Sequence, residues 1–258
     1  MGNQFKVSIF VTCLIDQLYP DVGIQTVRLL ERLGCEVIFP KSQICCGQPA
    51  FNSGYVAAAR EVALNNLKAF AKSDYVVCPS GSCTAMVHHY YGELFADDNT
   101  LARQAQELAA RTYELSQFIV NVLGIKDVGA SFAEAVTYHP SCHGTRLLGI
   151  KNEPVELITH VEGLQIVPLE NAQDCCGFGG TFAVKMSAIS GAMVNEKVNN
   201  IAATKARYVV GGDMGCLMNI SGSMRRRGLV ITPIHLAELL NKGTESASER
   251  KQIHVSSN

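Results

Sequence analysis

Eight of the ten cysteines repeat a spacing that can gather sulfur. Vicinal pairs followed at once by glycine occur twice, as Cys45-Cys46-Gly47 and Cys175-Cys176-Gly177. Each pair has outliers at matching distances. Cys13 lies 32 residues before Cys45 and Cys142 lies 33 before Cys175, while Cys83 follows Cys46 by 37 and Cys216 follows Cys176 by 40. The chain therefore carries two sets of four, Cys13, Cys45, Cys46 and Cys83, then Cys142, Cys175, Cys176 and Cys216. Adjacent side chains point apart on a regular strand, so converging the pairs requires an irregular turn, which glycine permits.

Three chemistries use gathered thiols. A structural zinc site usually takes its thiolates from two close pairs such as C-x2-C, and neither half has one. A thiol-disulfide enzyme needs two cysteines, typically C-x-x-C at a helix start. Iron-sulfur clusters need several thiolates around an anionic core, stabilised by backbone N–H groups that glycine-rich turns supply. The four-cysteine sets favour the third chemistry and leave zinc and thiol redox as rivals.

The elements that must position these sulfurs are legible from periodicity. Lys6 to Cys13 reads as a buried strand ending at the first motif cysteine, and Val22 to Leu33 as a helix stopped by Gly34. Glu36–Phe39 is a second strand whose exit loop carries Cys45 and Cys46. The alanine-rich Tyr55 to Ala71 reads as a helix, and Asp74–Val77 as a third strand leading to Cys78 and Cys83. After a predicted long helix from Leu101 to Leu123 the pattern restarts. Val136–His139 leads to Cys142, the strand segment Gly163–Val167 leads to Cys175 and Cys176, and Met186 to Lys205 is the matching helix. Val209 to Cys216 aligns without a gap to Val76 to Cys83, and Leu229–Thr232 with Pro233 to Leu240 adds a last strand and helix.

Strands alternating with helices imply a parallel sheet. The expected fold is α/β, as two similar parallel-sheet domains related by internal duplication. Residues 1–130 form the first cysteine-rich domain, 131–242 the second, and 243–258 a flexible polar tail. Loops after successive parallel strands leave at one edge, so each set of four can converge there.

The composition excludes several classes. With 47% hydrophobic and 17% charged residues the chain is globular, and a net charge of −1 offers no electrostatic reason to bind nucleic acid. No signal-peptide pattern and no apolar run of about 18 residues is present, so a cytoplasmic location without a membrane span is expected. There, ten cysteines point to metal ligands or redox groups and not to structural disulfides.

The remaining candidates weigh less. Cys35 falls opposite Leu164 in the internal alignment and reads as a buried hydrophobe; Cys78 falls opposite Gly211 and is an optional extra ligand. His139 and His143 flank Cys142, as proton relays or as hydrogen-bonded strand-end residues. His88 and His89 suit packing, and Arg225-Arg226-Arg227 suits a helix C-terminus. Gly177-Phe178-Gly179-Gly180 lacks the third glycine of a dinucleotide fingerprint.

Taken with Cys45-Cys46-Gly47-Gln48-Pro49-Ala50, Tyr138-His139-Pro140-Ser141-Cys142 and Cys175-Cys176-Gly177-Phe178-Gly179-Gly180-Thr181-Phe182, the two sets make the chain resemble the cysteine-rich-domain (CCG) iron-sulfur oxidoreductases. The resemblance covers nearly the whole chain and is strongest to members of lactate-utilisation systems. It implies an iron-sulfur electron-transfer subunit of a cytosolic complex that oxidises L-lactate to pyruvate, active only with its partners, a ferredoxin-like iron-sulfur subunit and a third subunit. It implies iron-sulfur clusters, 4Fe-4S and one per half, held by the eight motif cysteines. Where the family has C-x-x-C at the end of each repeat, this chain has Cys78-x4-Cys83 and a lone Cys216. Members with heterodisulfide chemistry use five cysteines around a non-cubane cluster, whereas four suit a cubane. The alternatives are a subunit acting on another 2-hydroxy acid such as glycolate, or a non-catalytic zinc- or iron-binding protein.

Overall fold

The apolar, β-branched run Lys6–Ile9 forms strand β1 and buries Val7 and Ile9 completely. Strands β2 (Glu36–Ile38) and β3 (Tyr75–Cys78) flank it in parallel, Val7 pairing with Val37 on one side and Tyr75 on the other. Strand β4 (Thr112–Glu114) joins beyond β3, giving the order β2-β1-β3-β4. The second half builds the same sheet from β5 (Ala135–His139), β6 (Gln165–Ile166), β7 (Tyr208–Gly211) and β8 (Thr232–His235), in the order β6-β5-β7-β8. The computed structural model describes residues 5–244, and the polar tail expected from 243 onward lies outside them from 245. Among the described residues no helix is long and apolar enough to cross a membrane.

Both halves are thus parallel α/β units of one topology, as the duplicated spacing implies. They share a core. Val7, Leu29, Val77 and Phe118 pack in one cluster with Val136, Leu157, Val210 and Leu236. Polar ties reinforce it: Arg32 donates to the Leu240 carbonyl at 2.8 Å, and Asn241 to the Gln25 carbonyl at 2.7 Å. His235, fully buried, accepts at Nδ1 from the Ala237 N–H and donates from Nε2 to the Pro79 carbonyl at 3.2 Å. The bond to Nδ1 needs the neutral ring, and burial holds its pKa down at about 4.

The structure corrects the expected elements at two places. The predicted helix from Leu101 to Leu123 is a helix at Asn99–Ala110, then β4, then a short helix at Leu115–Gln117 and a π-turn at Phe118–Val122. Apolar periodicity runs on both sides of β4 and hides a three-residue strand whose pairing with β3 is non-local. The last strand is Thr232–His235, not Leu229–Thr232, and its helix is only Leu236–Leu239. Pro233 is accommodated because β8 is an edge strand, where a missing N–H costs no ladder bond.

Glu114 ends β4 and caps the helix after it, accepting from the Ser116 N–H at 2.8 Å and from the Ser116 hydroxyl. It is 3% exposed, and burial raises its pKa to about 7. A raised carboxyl pKa means the folded state holds a proton that the unfolded state has lost between pH ~4.5 and ~7. Its stabilisation is therefore present at low pH and fades as pH rises through that window, by on the order of 2–3 kcal/mol. Urea unfolding of the reduced protein at pH 5 and pH 8 should show this loss, and Glu114→Gln should remove most of it. An unchanged pH slope in the variant would refute the assignment.

Candidate metal centre

The four outlying cysteines sit at the starts of helices that follow strands. Cys13 opens the helix Cys13–Leu18 after β1, and Cys142 opens Cys142–Arg146 after β5. Cys83 is the third residue of Gly81–Ala85 after β3, and Cys216 the third of Met214–Arg226 after β7. Short polar residues cap three of these helices and leave the chain extended before the turn: Ser80 accepts from the Cys83 N–H, Ser141 from the Gly144 N–H and Asp213 from the Gly215 N–H. Backbone N–H groups at such starts favour negative charge on nearby sulfur.

The vicinal pairs are turned by glycines in the left-handed region, Gly47 at φ +88° and Gly177 at φ +79°. Each turn aims its own N–H at sulfur, Gly47 at Cys45 Sγ (3.5 Å) and Gly177 at Cys175 Sγ (3.3 Å). Buried side chains tie the loops down. Asn66 donates to the Cys45 carbonyl at 2.9 Å and Tyr91 to the Cys46 carbonyl at 3.0 Å. In the second half Asn219 donates to the Cys176 carbonyl at 2.8 Å, and the buried ammonium of Lys197 to the Asn171 and Ala172 carbonyls at 2.7 and 3.1 Å. Burial lowers the Lys197 pKa, partly opposed by Asp174 and the nearby cysteines. None of these four anchors carries a local sequence signal, since each is an ordinary helix residue until the fold brings it to the loop.

Both sets border one cavity of about 180 Å³, lined by Cys13, Cys46 and Cys83 from the first half and by Cys142, Cys175, Cys176 and Cys216 from the second. Cys45 borders a neighbouring cleft together with Cys13. Asp213 spans the two halves at the cavity wall. One carboxylate oxygen accepts from the Ser82 N–H (2.8 Å) and the Ser80 hydroxyl (3.1 Å) of the first half, while the other caps the Met214–Arg226 helix of the second. Sequence reading passed over Asp213 because its partners are 131 and 133 residues away.

Within each set the sulfurs form a chain of contacts. Cys13 and Cys46 hydrogen-bond Cys45 and pull it down to about 3, while their own pKa values rise in turn. Cys46 and Cys78 do the same to Cys83, at about 5. In the second half Cys142, whose sulfur is 3.9 Å from that of Cys175, and Cys176 bring Cys175 to about 2. In each set the neighbouring sulfurs and the glycine N–H favour negative charge at the first cysteine of the pair. Cys78 is fully buried at the end of β3 and in contact with Cys83, so the first half gathers five sulfurs. Cys35 lies apart, 3% exposed in the shared core, its thiol raised by burial to about 11.

The spacing of the donors discriminates among metals. A tetrahedral zinc with Zn–S near 2.3 Å needs sulfurs about 3.8 Å apart, all mutually close. Among the described residues the only three such donors mutually within 4.8 Å are His139, Cys176 and Cys216. Neither four-sulfur set closes to that size: neighbouring sulfurs meet, as Cys142 and Cys175 do at 3.9 Å, but among the described residues no three sulfurs of one set lie mutually within 4.8 Å, so each set is an extended arc. His139 is 1% exposed, and neither of its ring nitrogens has a hydrogen-bond partner. Burial holds it neutral, with a pKa of about 4. The hydrogen-bonded strand-end reading of His139 therefore does not hold. His143 reaches Cys142 Sγ with Nδ1 at 3.6 Å. His88 and His89 bond the Thr112 and Leu147 carbonyls on the exposed side of the helix.

A duplicated parallel α/β scaffold that ends its strands in facing arcs of thiols defines a sulfur-rich metal-binding class. The chain belongs to the cysteine-rich-domain (CCG) family, whose profile matches residues 7–88 and 136–221. It is 57% identical over 236 residues to lactate utilization protein A of Geobacillus thermodenitrificans, a match spanning 92% of this chain and 98% of that protein. Against the protein of the same name from Macrococcus caseolyticus it is 55% identical over 245 residues, 95% of this chain and the whole of the relative.

Proposed function

We propose that the chain is the iron-sulfur electron-transfer subunit of a cytosolic complex that oxidises L-lactate to pyruvate. The observation that carries the cluster assignment is that each half gathers four cysteines in an extended arc, no three of whose sulfurs lie mutually within 4.8 Å among the described residues, as one tetrahedral zinc would need. The substrate class is supported by the names of the relatives. Cys13, Cys45, Cys46 and Cys83 hold one 4Fe-4S cluster and Cys142, Cys175, Cys176 and Cys216 the other. Bound there, such clusters supply one-electron transfer at potentials tuned by their surroundings.

The protein's part is to hold and shield them. Gly47 and Gly177 point N–H groups at sulfur, Asn66, Tyr91, Asn219 and Lys197 fix the loops, and Asp213 locks the halves so that both sites face one cavity. Among the described residues no Lys or Arg lines that cavity to form an ion pair with a substrate carboxylate. This supports oxidation of the 2-hydroxy acid on a partner, with electrons passed through this chain to or from a ferredoxin-like subunit and a third subunit. Removing two electrons from lactate suits a carrier with two one-electron sites.

Anaerobic reconstitution of the full chain with iron and sulfide tests the reading. It should yield acid-labile sulfide equimolar with iron and charge-transfer absorbance near ~400 nm. Zinc uptake with no sulfide would refute it and favour a zinc-binding protein.

A further inference from the structure

We infer that His139 is a nitrogen donor to the metal centre of the second half, so that the two centres are not chemically alike. The inference rests on the proposed cluster function and refines its ligand set: a 4Fe-4S cubane offers one terminal position per iron, so His139 takes one iron in place of one of the four cysteines of that half.

Three observations converge. His139 sits at the end of β5, 1% exposed, and neither ring nitrogen has a hydrogen-bond partner. Leaving buried polar atoms unpaired is destabilising, and a metal is a partner the site can offer to one of the two nitrogens. Its ring nitrogen also falls within 4.8 Å of both Cys176 Sγ and Cys216 Sγ, two of the proposed cluster sulfurs.

The third observation is the exchange between the halves. His139 pairs in register with Gly211 across β5 and β7. The same two positions in the first half are Phe10 and Cys78, one step beyond the Ile9–Val77 pair of β1 and β3. There Phe10 is an apolar filler packed on Phe70, with ring centroids 5.1 Å apart, and the extra donor is the Cys78 thiol beside Cys83. In the second half the thiol position is a glycine, and the donor stands on the neighbouring strand as imidazole. Register partners on adjacent strands project to the same face, so both arrangements present one additional donor to the same end of the arc, sulfur in one half and nitrogen in the other. Histidine in place of thiolate raises a cluster's reduction potential, which would make the second centre the easier of the two to reduce.

The test uses anaerobically reconstituted full chain carrying 15N-histidine, poised in its paramagnetic state and examined by pulsed EPR. A directly coordinated histidine nitrogen should appear as a strong coupling that changes on 15N labelling. It should be lost in His139→Phe and retained in His143→Gln, which removes the other histidine near the cysteines. The double variant His139→Phe/Gly211→Cys copies the first half and should retain iron and sulfide better than His139→Phe alone, without the nitrogen coupling. Wild-type clusters with full sulfide and no histidine coupling, or a coupling that survives in His139→Phe, would overturn the ligand assignment and leave the cluster reading intact. Wild-type protein that takes up no sulfide would overturn the cluster reading and this inference together.

Discussion

Replacing Cys176 by serine is expected to abolish support of growth on L-lactate while growth on pyruvate continues. Cys176 is 2% exposed and occupies the middle of its arc, in contact with both Cys175 and Cys216. Serine offers a harder, shorter donor that is protonated at neutral pH, and in this buried place its hydroxyl lacks the neighbours that suited sulfur. About half of the iron and sulfide should disappear, since one of two clusters is lost. Complementation of a strain lacking its own copy, and any other lactate dehydrogenase, should fall at least tenfold. Cys35→Ser is the control, because Cys35 is equally buried but lies in the shared core away from both arcs. It should cost roughly 1–2 kcal/mol of stability and spare the iron. Equal iron loss in both variants would trace the effect to folding and remove the support for Cys176 as a ligand.

Alanine at Gly177 should be far more damaging than alanine at Gly47, although the two glycines occupy equivalent turns. Both have positive φ, so each substitution costs about 1–2 kcal/mol of backbone strain. They differ in what a Cβ would meet. At Gly47 the near neighbour is Val62 Cγ1 at 3.2 Å, the end of a side chain that can shift. At Gly177 it is the Ser190 carbonyl oxygen at 2.7 Å, with Met193 Cβ at 3.0 Å, both on the 17-residue helix Ser187–Ala203. A helix backbone cannot yield there without breaking its own hydrogen bonds or moving the loop, and moving the loop withdraws the Gly177 N–H from Cys175 Sγ. Strain and overpacking together come to about 3–5 kcal/mol at Gly177 against about 1–2 at Gly47. Denaturant unfolding of the two reduced apo variants measures the difference. Equal destabilisation would show that the helix gives way.

Much of the fold was legible because its signals are local. Strand β1, the β3–β7 correspondence and the main helices follow from periodicity, and the duplicated cysteine spacing exposed the repeat. Strand β4 was missed because three residues paired only to a distant strand carry almost no local signal. The end of β8 was misplaced because Pro233 suggests a helix start, and only an edge position makes it acceptable in a strand.

The candidate site divides in the same way. Residue type and spacing determined which cysteines form two sets, that glycine must turn each pair, and that Cys35 stands outside them, because all three are properties of short stretches and of the repeat. Only the tertiary structure decided that the two sets border a single cavity, that Asp213 joins the halves, and that Lys197 and Asn66 hold the loops. It also decided that Cys78 touches Cys83 and that His139 faces Cys176 and Cys216 with its nitrogens unpartnered. Those relations depend on strand register and on the packing of one half against the other. Both are set by contacts between residues far apart in the chain, which no local pattern encodes.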